Sequence, residues 1–166
     1  MKILITNEQI QEKIKELGEH ITNIMVDKHD IIVAPILKGG LVFGSHLIPY
    51  LNFQFELDYF HTSRYKNNTY GSNLEIIYEP KNLKGKTLIL LDDIYDEGTT
   101  LDTLEARSKI RGASKVVKVV LLNKEKNKSN PPIFSGFKIP DYFVYGFGLD
   151  KNGFFRNLPY IAYDED

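Results

Sequence analysis

Residues that could perform chemistry are concentrated at positions 87–101, which read TLILLDDIYDEGTTL. The aliphatic run is typical of a buried parallel strand, and acidic residues begin where such a strand would leave the core. A glycine and two threonines then place hydroxyls and free N–H groups at a helix start, which suits phosphate. Carboxylates beside a phosphate site indicate a ligand with hydroxyls and phosphates, and a divalent cation between the opposing charges. The polar residues are Asp92, Asp93, Asp96, Glu97, Gly98, Thr99 and Thr100.

Other interpretations of this stretch explain less of it. The acidic residues could cap the helix of an ordinary strand–turn–helix unit. The sequence contains neither G-x-x-x-x-G-K-[ST] nor a G-x-G-x-x-G that follows a strand. An EF-hand loop starting at Asp92 is excluded because Ile94 stands where an oxygen ligand is needed.

A second candidate anion site is the turn Lys38-Gly39-Gly40, which follows an apolar run at 31–37 and precedes a helical pattern. The glycines let the backbone bend sharply and turn its N–H groups toward an anion, and Lys38 adds positive charge. A plain strand–helix turn is the alternative.

The elements that must position these residues follow from hydrophobic periodicity. A capping-box sequence at Thr6 opens an amphipathic helix, and aliphatic runs then alternate with helical patterns. This order predicts an α/β fold with a parallel sheet wrapped by helices on both faces, and a ligand site beyond the carboxyl ends of the strands. We expect strands at 31–37, 53–59, 74–78, 87–91, 116–122 and 142–147, helices after residues 6, 40 and 100, polar loops at 61–73 and 124–132, and an irregular tail. Lys38, Asp92, Lys124 and Asp150 lie at or just beyond strand ends.

Composition limits the possible classes of protein. The 166 residues, 42% of them hydrophobic, predict one domain over residues 1–166 with a sizeable core. The net charge of −1 offers no basic surface for nucleic acid, and without cysteine there is no disulfide or thiolate metal site. The four histidines lack metal-ligand spacing. No run approaches the ~20 apolar residues of a membrane span, and no signal peptide opens the chain. We therefore expect a cytoplasmic protein with no membrane or nucleic-acid partner.

The tail at positions 139–161 reads IPDYFVYGFGLDKNGFFRNLPYI. With the acidic strand end and the Lys38 turn, it closely resembles the hypoxanthine–guanine phosphoribosyltransferase family. The resemblance implies the type I phosphoribosyltransferase fold: a parallel sheet flanked by helices, a small hood formed by the N-terminal and C-terminal segments, and a flexible lid loop. It implies purine salvage, with phosphoribosyl pyrophosphate, hypoxanthine and guanine as ligands, Mg²⁺ as cofactor, and a homodimer or homotetramer.

The resemblance also assigns roles on the side of the sugar phosphate. Asp92 and Asp93 would face the ribose hydroxyls and, with Asp150, contact metal. The loop at 96–100, called the phosphate loop below, would hold the 5′-phosphate, and Asp96 would handle the proton of the purine ring nitrogen. Pyrophosphate would be bound by Lys38, Gly39 and Arg156. In the family, the peptide bond before the lysine is cis.

On the side of the base, Lys124 would donate to the purine 6-oxo group, Phe143 would stack on the purine, and the backbone of Val144 would read its edge. Asp150 would lie near the exocyclic position. A lysine can only donate hydrogen bonds, so it favours 6-oxopurines over adenine. Charged neighbours such as Lys118 leave a solvated loop as the alternative for Lys124.

Two positions depart from the family pattern. The lid region, residues 61–73, carries Arg64-Tyr65 where the family has Ser-Tyr. Glu97 stands where many relatives have threonine, and a carboxylate facing phosphate would repel it. We therefore expect the Glu97 side chain to point away while its N–H serves the phosphate.

Two other functions remain open from sequence. A regulator that senses phosphoribosyl pyrophosphate and binds nucleic acid would keep the same fold, but it needs a basic surface or an added domain. An unrelated phosphohydrolase could use the acidic cluster on a metal, but it would not explain Lys124 or the tail.

Overall fold

A computed structural model describes residues 1–66, 72–125 and 130–165 of the chain. Within these described residues, ten strands form two sheets. They are β1 (Lys2–Ile5), β2 (Ile31–Leu37), β3 (Glu56–Leu57), β4 (Phe60–Lys66), β5 (Ser72–Tyr78), β6 (Thr87–Tyr95), β7 (Lys115–Lys124), β8 (Phe134–Ile139), β9 (Val144–Tyr145) and β10 (Ile161–Tyr163).

In the part of the chain that the structure describes, three α-helices connect and cover the strands: α1 (Asn7–Met25), α2 (Gly39–Leu47) and α3 (Thr99–Ile110). α1 begins with the predicted capping box, in which the Thr6 side chain accepts from the N–H of Gln9 and the Gln9 side chain accepts from the N–H of Thr6. These two bonds satisfy N–H groups that a helix start leaves without partners. A short 3₁₀ helix, Ile48–Tyr50, follows α2.

The main sheet has the spatial order β5-β4-β2-β6-β7-β8, with β3 beside β2. All its pairings are parallel except the antiparallel hairpin of β4 and β5. β2 and β6 are therefore central, and both end at the same edge of the sheet. This order brings the Lys38 turn, which follows β2, next to the acidic residues at the end of β6.

Hydrophobic cores fill both faces of the main sheet, as the sequence predicts. On one face, Ile14 of α1 and Phe43 of α2 pack with alternate residues of the central strands, such as Ile89. On the other face, Leu104 of α3 packs with the residues between them, such as Leu90. Continuous burial of β6 from Leu88 to Asp93 follows from this double covering. None of the described helices has the length and apolar content needed to cross a membrane.

A second, three-stranded sheet in the order β1-β10-β9 joins the two ends of the chain. Its strands pair antiparallel, with Lys2 opposite Tyr163 and Ala162 opposite Tyr145. This sheet is the hood that the resemblance implies. It contains Val144 and places Phe143 at its border.

Several predicted boundaries were wrong. Residues 61–66, predicted as loop, form β4, and the lid prediction at 67–71 lies outside the described residues. Residues 53–59 were predicted as one strand but hold only β3 and the bends around it. The tail contains β10, and β8 was not predicted at all. The predicted strand at 142–147 shrinks to β9, because positive φ angles at Gly146 and Phe147 end the extended backbone.

Candidate active site

A cavity of about 550 Å³ opens at the carboxyl edge of the main sheet, above β2 and β6. Predicted residues from four separate regions of the chain line it: the glycine turn, the acidic strand end with its phosphate loop, the β4 arm, and the tail. These lining residues are Gly39, Arg64, Asp92, Asp93, Asp96, Glu97, Gly98, Thr100, Phe143, Asp150 and Arg156.

The predicted residues Lys38, Thr99, Lys124 and Val144 are not among the described lining residues of the cavity. Each adjoins one that is: three are chain neighbours of lining residues, and Lys124 contacts Asp96. The side chain of Tyr65 lies outside the described part of the chain. Residue roles in the site stay predictions, but the tertiary arrangement is consistent with one shared ligand.

The paired carboxylates Asp92 and Asp93 lie at the floor of the cavity and are each 9% exposed. Burial raises the pKa of Asp92 well above its usual range, and the neighbouring Asp93 carboxylate raises it further. Burial also raises the pKa of Asp93. Such an environment favours partners that stabilise the carboxylates, either hydroxyl groups that donate hydrogen bonds or a cation that neutralises their charge.

The glycine turn packs directly against this carboxylate pair. A Cβ added at Gly39 would lie 2.1 Å from Asp93 Oδ2, so only glycine lets the backbone approach this closely. The peptide bond Leu37–Lys38 is cis, as the resemblance implies. Gly148 of the tail has a φ of 97°, and a Cβ there would lie 2.7 Å from the Gly39 carbonyl oxygen. The tail and the turn therefore meet backbone to backbone.

The phosphate loop begins after β6 and ends in the first turn of α3. Gly98 has a φ of 81°, which turns the chain into the helix. The N-cap residue of α3 is Gly98, which has no side chain to cap the helix, and the N–H groups of a helix start suit an anion. Arg64 of β4 donates from Nη2 to Thr100 Oγ1 over 2.8 Å. A guanidinium therefore already lies at the place where a phosphate would be held.

Lys124, at the end of β7, is buried with 8% exposure and forms two ion pairs. Its Nζ lies 2.8 Å from Asp96 Oδ2 and 3.1 Å from Asp141 Oδ1. The alternative of a solvated loop for Lys124 is therefore excluded. Phe143, which lines the same cavity as Asp96, is 65% exposed.

The tail contributes an ion pair between Arg156 and Asp150 to the site. Arg156 donates to Asp150 Oδ1 over 2.7 Å, and the N–H of Gly153 donates to Asp150 Oδ2 over 2.8 Å. Arg156 also donates to the carbonyl oxygen of Gly148, next to the glycine turn. These bonds fix the guanidinium toward the cavity, where its remaining donors can contact phosphate oxygens.

The described residues contain no group of three acidic or histidine side chains that could hold a metal alone. Mg²⁺ is commonly bound by one or two carboxylates together with substrate phosphates. The buried Asp92–Asp93 pair fits that pattern, whereas both oxygens of Asp150 already accept hydrogen bonds. Sequence reasoning missed two other features of the site: Tyr95 lines the cavity, and Lys118 is buried below it.

Comparison with known proteins agrees with this geometry. The sequence profile of the phosphoribosyl transferase domain matches residues 4–152. The hypoxanthine-guanine phosphoribosyltransferase of Bacillus subtilis is 37% identical over 165 residues, which cover 97% of this chain and 91% of that protein. The enzyme of the same name from Lactococcus lactis is 38% identical over 166 residues, 97% of this chain and 89% of that protein.

Comparison with solved structures identifies the same family. A hypoxanthine phosphoribosyltransferase from Staphylococcus aureus superimposes with a TM-score of 0.91 at 32% identity, over 99% of this chain and 91% of that chain. The Trypanosoma cruzi enzyme in complex with its product IMP gives a TM-score of 0.86 at 25% identity, over 98% and 93% of the chains. The main sheet, the hood and the rim cavity thus have the type I phosphoribosyltransferase arrangement. The chain belongs to the hypoxanthine–guanine phosphoribosyltransferase family of purine-salvage enzymes.

Proposed function

We propose that this transferase joins hypoxanthine or guanine to the phosphoribosyl group of phosphoribosyl pyrophosphate, giving IMP or GMP and pyrophosphate. The observation that carries the proposal is the single cavity shared by the phosphate loop, the Asp92–Asp93 pair and Phe143. In that cavity a sugar phosphate and an aromatic base can lie side by side at the carboxyl edge of the sheet.

In the reaction, the bond from ribose C1 to the pyrophosphate oxygen breaks, and a bond from C1 to the purine ring nitrogen forms. Pyrophosphate leaves easily only if its negative charge is neutralised. Arg156 and the N–H groups of the Lys38 turn supply fixed positive charge and donors for this purpose. The ribose gains positive character as the bond breaks, and Asp92 and Asp93 lie where they can stabilise it.

Asp96 takes the proton that the purine ring nitrogen loses. It lines the cavity, and Lys124 Nζ holds its Oδ2 at 2.8 Å. General base assistance of this kind contributes roughly 10²–10⁴ in rate. Lys124 donates to the 6-oxo group, which gives the site its preference for 6-oxopurines.

Asp92 and Asp93 would hold the cofactor Mg²⁺ together with oxygens of the substrate. When bound, it neutralises phosphate charge and orients the leaving group. The raised pKa values of the two buried carboxylates support this assignment, because a nearby cation would relieve the burial of negative charge.

Residues 1–166 form one domain, and the protein acts in the cytoplasm. The active oligomer is a homodimer or homotetramer. An apolar depression beside α2 supports self-association, since Leu41 and Leu57 on its walls are 53% and 62% exposed. Gel filtration with light scattering measures the oligomeric state directly.

The function is tested by a steady-state panel of hypoxanthine, guanine, xanthine and adenine, each with phosphoribosyl pyrophosphate and Mg²⁺. We expect release of pyrophosphate with hypoxanthine and guanine, and weak or no release with adenine. Equal rates for all four bases, or none, would contradict the proposal. A parallel gel-shift titration with nucleic acid tests the regulator that the sequence left open, and we expect no shift.

A further inference from the structure

A buried charge network lies beneath the phosphate loop. Lys118 of β7 is 3% exposed, and its Nζ lies 2.7 Å from Asp102 Oδ1 and 3.1 Å from Glu105 Oε2. Both carboxylates belong to the first two turns of α3, the helix that the phosphate loop enters. The Nζ also donates to the carbonyl oxygen of Asn130 over 2.6 Å. The network therefore joins α3 to Asn130, which follows β7 and Lys124 in the chain.

Tyr95 links the two ends of the phosphate loop. It directly precedes the loop, and Asp102 is the second residue after the loop, in the first turn of α3. The Tyr95 hydroxyl lies 3.0 Å from Asp102 Oδ2 and 2.7 Å from the carbonyl oxygen of Asn130, so its proton can be donated to either. Lys118 Nζ lies 5.3 Å from the centre of the tyrosine ring, a favourable cation–π position.

The apex of the loop rests on the same two groups. A Cβ added at Gly98 would lie 2.5 Å from the Tyr95 hydroxyl oxygen and 2.9 Å from Asp102 Oδ2. The backbone of Gly98 therefore packs against the hydrogen bond between Tyr95 and Asp102.

The charges of the network are balanced in a way that suits an anion site. Asp102 and Glu105 alone would place two negative charges below the phosphate loop, against the phosphate. Lys118 neutralises them from below, and Lys109 donates to Glu105 Oε1 over 2.6 Å. Burial works against the charged form of Glu105, but hydrogen bonds from Lys109, Asn130 and Lys118 outweigh it and lower its pKa to about 2. Glu105 therefore stays ionised and paired.

We propose that Tyr95, Asp102 and Lys118 are positioning residues that hold the phosphate loop in its ligand-binding shape before phosphoribosyl pyrophosphate arrives. The inference rests on the proposed function, because it concerns the same ligand. The three side chains act through the loop. A loop that is already ordered loses less conformational freedom on binding, so affinity for the phosphorylated substrate rises.

The decisive variant is Tyr95→Phe, which keeps the ring and removes only the hydroxyl. Loss of a hydrogen bond to a charged acceptor corresponds to about a tenfold change. We expect the KM for phosphoribosyl pyrophosphate to rise about tenfold, while kcat and the KM for hypoxanthine stay within about twofold. Asp102→Asn also weakens the pair with Lys118 and should act in the same direction, and the two changes should be less than additive because both break the link between Tyr95 and Asp102.

Arg107→Met is the matched control for a purely structural effect. Arg107 lies at the other end of α3 and donates to both carboxylate oxygens of Glu79. Its loss should lower Tm while leaving the KM for phosphoribosyl pyrophosphate unchanged. If Tyr95→Phe behaves like this control, or raises both KM values alike, the positioning role is refuted.

Calorimetric titration with phosphoribosyl pyrophosphate and Mg²⁺ separates this inference from the proposed function. A parent chain that binds the compound but transfers nothing to purines would refute the function alone. The comparison of Kd between parent and Tyr95→Phe would still decide the inference, with about tenfold weaker binding expected and equal binding overturning it.

Discussion

Lys124 Nζ and Asp96 Oδ2 lie 2.8 Å apart, so one ion pair joins the group assigned to the purine 6-oxo position with the group assigned to its ring proton. The pair connects β7 to the phosphate loop across the rim of the sheet. Asp141 lies 3.1 Å from the same Nζ, and the lysine therefore keeps a partner if Asp96 turns to a substrate. This ion pair orients Asp96, the proposed proton acceptor, relative to Lys124, the proposed donor to the purine 6-oxo group.

Asp96→Asn should separate chemistry from binding. The amide keeps the size of the side chain but cannot take up the purine proton. We expect kcat to fall by roughly 10²–10⁴ while Kd for phosphoribosyl pyrophosphate changes little, as measured by steady-state kinetics and calorimetry. Asp27→Asn, at an exposed position beyond α1, is the matched control and should leave both unchanged. Full turnover in Asp96→Asn would show that another group accepts the proton.

Lys124→Met should weaken discrimination among bases. Methionine fills a similar volume in this buried position but cannot donate to the 6-oxo oxygen. The loss of a charged hydrogen bond predicts a fall of about 10–100-fold in kcat/KM for hypoxanthine, with a smaller change for adenine. Lys138→Met, an exposed change on β8, is the control and should leave the ratio of the two bases as it was. An unaltered ratio in Lys124→Met would mean that the lysine does not read the base.

The central strands, the glycine turn and the phosphate loop could be predicted from sequence because local signals specify them. Continuous apolar runs mark strands buried on both faces, and the turn residues follow them directly. The cis bond at Leu37–Lys38 and the hood were accessible only through family resemblance, and both are present. Local physics alone gives no signal for either, because β1 and β10 are short and pair across the whole chain.

The features that were missed depend on contacts between distant residues. β4 was predicted as loop because its polar residues lack alternation, yet β2 and β5 supply its hydrogen-bonding partners. Lys118 lies within an apolar strand, where a charge normally argues against burial. Its burial is possible because Asp102 and Glu105 arrive from α3, which no local pattern reveals. The sequence signal for this buried charge was a lysine inside an otherwise aliphatic run.

Arg64→Ser, which restores the residue of the family pattern, should weaken binding of the sugar phosphate. Arg64 Nη2 donates to Thr100 Oγ1 in the phosphate loop, so its charge lies beside the anion site. We expect the KM for phosphoribosyl pyrophosphate to rise about 5–10-fold and to depend less steeply on salt concentration, with kcat unchanged. Arg64→Lys keeps the charge and should recover the salt dependence. Equal kinetics in parent and Arg64→Ser would exclude a contact with phosphate.

Glu105 gives a prediction about stability at low pH. Its side chain is 12% exposed, and its pKa falls from the usual 4.5 to about 2 because hydrogen bonds to Lys109, Asn130 and Lys118 outweigh burial. The unfolded chain therefore binds a proton at Glu105 at a higher pH than the folded chain does. The stabilisation, at most about 3 kcal/mol, is fully present above pH 4.5 and is lost as the pH falls through about 2.

Glu105→Gln removes this titration while keeping the shape of the side chain. Urea unfolding of parent and variant at pH 7, 5, 4 and 3 should show a difference in unfolding free energy that is constant down to about pH 5 and then shrinks. Glu12→Gln, on the exposed face of α1, is the control and should show a small difference at every pH. A difference for Glu105→Gln that stays constant down to pH 3 would mean that the carboxylate is not held ionised by the network, because only a proton-linked contribution diminishes in that range.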